Sequence, residues 1–153
     1  MIYSERHNTV RTGSGRRPMM FSHGFGCDQH MWRFVAPAFE DRFDTVLFDH
    51  IGAGGSDLTA YDPVKYADLG GYADDVVGLA EELGVCNGVF VGHSVSAMSG
   101  LLAARRAPHL FSDLVMVGPS PRYIDDEAEG YVGGFSRPQI EELLDFLDSN
   151  HMG

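Results

Sequence analysis

A chain of 153 residues, 44% apolar and 22% charged, is one domain's worth of ordinary globular material with room for a single sizeable core. Its 22 acidic residues against 11 basic ones give a net charge of -11, which repels a phosphate backbone and argues against nucleic acid as a partner. No apolar run reaches the ~18 residues of a membrane span, no charged-then-apolar leader is present, and Cys27 and Cys86 fit no metal spacing, so a cytoplasmic protein with free thiols, no metal and no cofactor is expected.

In chain order, the alternation around His7 to Thr12 reads as an edge strand that turns at Gly13-Ser14-Gly15. Pro18 to Phe21 reads as a short buried strand running into Ser22-His23-Gly24-Phe25-Gly26, where two glycines around one aromatic let main-chain N–H groups approach a ligand. Trp32, Val35, Ala36 and Phe39 recur at helical spacing after Asp28, which predicts a helix that Pro37 shortens or kinks. Thr45 to Phe48 is the next strand. It ends in the turn Asp49-His50-Ile51-Gly52-Ala53-Gly54-Gly55-Ser56-Asp57, which fails as a dinucleotide fingerprint because Asp57 stands where the third glycine belongs and no helix follows at once.

A second helix is predicted over residues 69–83 and stops at Gly84. The run Val89-Phe90-Val91-Gly92 is a buried strand, and from Ser94 the Ala-, Leu- and Met-rich stretch has helical spacing. Leu114 to Val117 closes the series as another buried strand. Strand and helix alternate, so the fold class is α/β, with a mostly parallel sheet and helices on both faces. Residues 122–135 read as an acidic, flexible connection, after which Ser136 and Gln139 form a capping box for a helix striped by Ile140, Leu143, Leu144 and Leu147.

The turn Gly92-His93-Ser94-Val95-Ser96 differs by one residue from the Gly-x-Ser-x-Gly nucleophile elbow, in which a strained corner between strand and helix lifts a serine hydroxyl above the sheet. Ser94 is therefore the candidate nucleophile. A helix opening just past it aims its positive dipole end at the place where an oxyanion would form.

Three segments together carry a family resemblance: the elbow from Gly92 to Met98, the loop from His23 to Gln29 and the segment from Val117 to Tyr123. They resemble the α/β-hydrolases that group the bacterial stress regulator RsbQ with the plant karrikin and strigolactone receptors. The resemblance implies an oxyanion hole from the main-chain N–H groups of Phe25 and Val95, and structural roles for His23 and His93. It implies that residues 1–121 are the N-terminal part of the hydrolase core and that 122–153 begin a lid. The family's acid and histidine would then lie beyond the lid, in polypeptide this sequence does not contain, with Asp125 and Asp126 a poor substitute for the acid. The resemblance further implies hydrolysis of a small apolar ester or lactone, a butenolide-like ligand and a PAS-containing phosphatase as partner. The alternatives are a non-catalytic sensor and an inactive fragment.

Overall fold

The computed structural model describes residues 2–149. The chain divides into two compact units, Met1–Pro119 and Ser120–Gly153.

The first unit is built on a five-stranded sheet in the order β1-β3-β2-β4-β5. Its strands are β1 (Val10–Thr12), β2 (Arg17–Ser22), β3 (Phe43–Phe48), β4 (Gly88–His93) and β5 (Phe111–Val117). Only β1 runs antiparallel, pairing Val10 with Leu47 and Thr12 with Thr45; the other pairings are parallel. The α/β class with a mostly parallel sheet is thus the observed one.

Alternation along the central strands divides the core in two. Met20, Val46, Phe48 and Phe90 point to one face and pack with Val76, Leu79 and Ala80 of α2 (Leu69–Glu82) and Ala103 of α3 (Val95–Arg106). Met19, Phe21, Val89 and Val91 point to the other and pack with Trp32 and Ala36. Both faces are covered, which is why these strands are apolar at nearly every position.

The first unit departs from expectation in three places. The segment after Asp28 is not an α-helix but two 3-10 turns, Gln29–Trp32 and Ala36–Phe39, although Asp28 does cap the first by accepting from the His30 N–H. Pro37 has no N–H to continue an α-helical ladder, and two tight turns bury Trp32 and Ala36 without it. Strand β5 is not buried along its length. It forms one edge of the sheet, leaving Val115 and Val117 45% and 41% exposed. Finally, a short helix missing from the sequence reading, α1 (Tyr3–Arg6), precedes β1 and docks its amides on the Glu82 carboxylate.

The second unit contains α4 (Arg137–Ser149) and the loop before it. The capping box is present: the Ser136 N–H donates to Gln139 Oε1 at 2.8 Å and the Gln139 N–H to Ser136 Oγ at 3.4 Å. The loop is structured rather than a loose acidic connection. Its bridges join Ile124 to Phe135 and Asp126 to Tyr131. Asp125 accepts from the Gly133 and Gly134 amides at 2.8 and 2.9 Å, and Arg122 pairs with Asp126 at 2.7 Å.

Candidate active site

Strand β4 and helix α3 are separated by Ser94 alone. Ser94 has φ 57° and ψ -123°, a region that costs a non-glycine residue about 1–3 kcal/mol and persists only when the surroundings enforce it. They do so from two sides. The Ser94 N–H donates to the Val117 carbonyl at 2.9 Å, and the Ser94 carbonyl accepts from the Ala97 N–H at 3.0 Å. The corner is tight enough that a Cβ on Gly92 would lie 2.6 Å from the Ser96 carbonyl oxygen and 2.7 Å from the Ala97 nitrogen. The side chain of Ser94 is half-buried.

The loop after β2 lies against this corner. A Cβ on Gly24 would fall 2.4 Å from His93 Nδ1 and 3.4 Å from Ser94 Cβ, so with the His93 ring in place glycine lets the loop pass this close. The next residue, Phe25, is 61% exposed. The Gly24 carbonyl is drawn inward by His23 Nδ1–H at 2.9 Å and by the Cys27 N–H at 3.2 Å. In a trans peptide the C=O and N–H point in opposite directions, so the Phe25 N–H is turned the other way. Val95 is the first residue of α3, and its N–H has no partner within the helix.

Beneath the corner is a cluster of buried polar groups, in which His23 has the structural role expected of it. His23 is neutral: its Nδ1–H is committed to Gly24, and its Nε2 accepts the His50 N–H at 3.0 Å. Burial pushes the His23 imidazole below its ordinary range, and burial with His23 alongside pushes His50 down to about 3. Next to them Asp49 is fully buried and accepts from Asn8 Nδ2, the Gln29 N–H, Gln29 Nε2 and the Gly55 N–H at 2.9, 2.8, 3.1 and 2.9 Å. Burial alone would raise its pKa, but these donors outweigh burial and hold the carboxyl below the usual range. Only the Asp49 part of this cluster left a signal in the sequence: Asp49, Gly52, Gly54 and Ser56 form an Asp-x-x-Gly-x-Gly-x-Ser turn. Asp49 uses its carboxylate to fold that turn.

His7, His30 and His109 are placed elsewhere. His7 Nδ1–H donates to the Asp49 carbonyl at 2.8 Å, and His30 lies beside Asp28. The carbonyl of His109 accepts from Asn87 at the start of β4, the end of the strand opposite Ser94. Among the described residues no group of three or more His, Cys, Asp or Glu is arranged to hold a metal ion, and no helix is long and apolar enough to cross a membrane.

A parallel sheet with a strained serine between strand and helix is the arrangement of the α/β-hydrolases, and the family profile for the alpha/beta hydrolase fold matches residues 17–142. The chain belongs to that family. Within it, the likeness is to the karrikin and strigolactone receptor group. It is 41% identical over 98% of its length to karrikin insensitive 2 receptor CA of Petunia hybrida, covering 55% of that protein. It is 39% identical over 96% of its length to strigolactone esterase D14 of Arabidopsis thaliana, covering 54% of it. A solved hydrolase structure from Oleispira antarctica superposes with a TM-score of 0.89 at 39% identity, over 97% of this chain and 54% of that one. The chain thus spans about half the length of the relatives it matches.

Proposed function

We propose that Ser94 is the nucleophile of a serine hydrolase acting on a small apolar ester or lactone of the butenolide kind. The observation that carries this reading is the strained backbone of Ser94 at a strand-to-helix corner, with Gly24 so near that a Cβ added there would lie 3.4 Å from Ser94 Cβ. In this mechanism Ser94 Oγ attacks the substrate carbonyl carbon. The charge that develops on the carbonyl oxygen is held by the N–H groups of Phe25 and Val95, with the positive end of the α3 dipole behind them. The exposed ring of Phe25 offers an apolar surface for the substrate.

A serine hydroxyl is a poor nucleophile without a base to take its proton. His7, His23 and His50 are bound into other partners, and His109 is at the far end of β4. In this reading the base and the acid that orients it are supplied by polypeptide outside these residues, to which residues 122–153 lead as the start of a lid. The test is turnover of p-nitrophenyl acetate and a synthetic butenolide by the full-length natural protein and its Ser94→Ala variant. A loss of about 10³-fold or more is expected. Equal turnover by the alanine variant overturns the assignment.

A second reading, ligand sensing in which turnover is secondary, is favoured by one observation: the petunia relative is named a receptor. If the RsbQ resemblance extends to partners, the sensor would engage a PAS-containing phosphatase of a stress pathway. Co-purification with such a phosphatase supports it, and fast turnover with no partner bound argues against it.

A further inference from the structure

The second small residue of the elbow is Ser96, where the usual pattern has glycine, and its hydroxyl is part of a buried network. Ser96 is fully buried, and its Oγ–H donates to the His23 carbonyl oxygen. A carbonyl only accepts, so the serine proton is committed there. The 2.8 Å contact between His50 Nε2 and Ser96 Oγ therefore runs from Nε2–H to the hydroxyl oxygen. The same nitrogen lies 2.9 Å from Ser22 Oγ at the end of β2. One imidazole, from the loop after β3, thus holds the serine that joins the first turn of α3 to the loop after β2.

That loop carries the Phe25 N–H. Ser96 fixes the peptide between His23 and Gly24, and the His23 ring fixes the next peptide through the Gly24 carbonyl. We propose that Ser96 is a positioning residue for the oxyanion hole: its hydroxyl, held by His50, latches the His23–Gly24 main chain so that the Phe25 N–H faces the substrate carbonyl oxygen. The inference rests on the roles given above to Ser94, Phe25 and Val95. A glycine at position 96 would satisfy the corner sterically but leave the His23 carbonyl without its donor and the His50 Nε2–H with Ser22 alone.

The test uses the full-length natural protein with Ser96→Gly, Ser96→Ala and Ser96→Thr, and Ser94→Ala alongside. Hydrogen exchange requires no turnover: the Cys27 and His50 amides, which bond to Gly24 and His23, are expected to exchange at least about 10-fold faster in Ser96→Gly, while Val76 and Leu79 in α2 stay as they were. In ester hydrolysis, Ser96→Gly and Ser96→Ala are expected to lower kcat about 10- to 100-fold with KM within about twofold, because a misdirected donor is felt in the transition state. Ser96→Thr returns the hydroxyl and is expected to restore most of the rate. Unchanged Cys27 and His50 exchange in Ser96→Gly overturns the latch, as does a wild-type kcat in a background where Ser94→Ala is inactive. An active Ser94→Ala overturns the Ser94 assignment and the latch together.

Discussion

The Ser94 N–H donates to the Val117 carbonyl at 2.9 Å, so the proposed nucleophile is pinned to the last residue of an edge strand. With α3 gripping its carbonyl, this bond holds Ser94 in a conformation that an unconstrained serine avoids. Strain held this way is released by glycine. Ser94→Gly is therefore expected to raise the unfolding free energy by about 1 kcal/mol, net of the greater freedom glycine has in the unfolded chain, while abolishing ester turnover. Urea unfolding measures it, and a lower midpoint for the glycine variant would contradict a strained corner.

Asp49 is a buried carboxylate satisfied by four donors. Asp49→Asn turns an NH2 group toward donors that need an acceptor, and about 3 kcal/mol of stability is expected to go at neutral pH. Because the folded-state pKa is depressed, the stabilisation is present above the unfolded carboxyl value, ~3.9, and is lost as pH falls through the folded value. The gap between wild type and Asp49→Asn should therefore narrow below about pH 4. A gap that stays constant in urea titrations down to that region would count against this role.

His50 makes a separate acid limb. Its pKa falls from the ordinary 6.5 to about 3, so the unfolded chain takes up a proton in this window that the folded one refuses. Stability is full above the unfolded value and declines as pH drops toward the folded one, by about 1.4 kcal/mol per pH unit for each such histidine. His7 and His23, also pushed down chiefly by burial, add to the slope. His50→Gln is expected to remove one proton's worth of slope, about 1.4 kcal/mol per pH unit, between about pH 6 and pH 4. Parallel slopes for the two proteins would place the His50 proton uptake elsewhere.

The sheet edge at β5 leaves Val115 and Val117 45% and 41% exposed. Such an edge is a template for pairing with another chain. The isolated 153-residue chain is expected to self-associate with rising concentration, and Val115→Lys to suppress this without touching the Val117 carbonyl that holds Ser94. Light scattering reads the outcome; equal association of both chains would acquit the edge.

Much of the frame was legible because apolar pattern and burial agree. Met19 to Phe21 and Val89 to Val91 are apolar at every position because both sides of those strands are covered, and Ser136 with Gln139 caps α4 as its spacing predicts. The segment from Asp28 to Phe39 misled because two 3-10 turns bury Trp32 and Ala36 at the spacing an α-helix would. Helix α1 has four residues and none of them buried, too little for periodicity to register. At the proposed site, the tight strand-to-helix corner at Ser94 could be read from its small neighbours. The histidine cluster could not, since His23 and His50 look like loop residues in sequence and become buried only when the ends of β2 and β3 come together beneath α3.

The three glycines around the corner differ in what crowds them. At Gly24 the nearest obstacle to an added Cβ is the His93 ring, and at Gly100 it is the Phe90 ring, 2.3 Å from where that Cβ would lie, so a smaller partner residue could relieve an added methyl. At Gly92 the obstacles are the main-chain atoms of Ser96 and Ala97, which every amino acid shares. No compensating second substitution can trim them away. Selection for rescue of Gly24→Ala or Gly100→Ala should therefore recover changes at His93 or Phe90, whereas Gly92→Ala should yield only reversion.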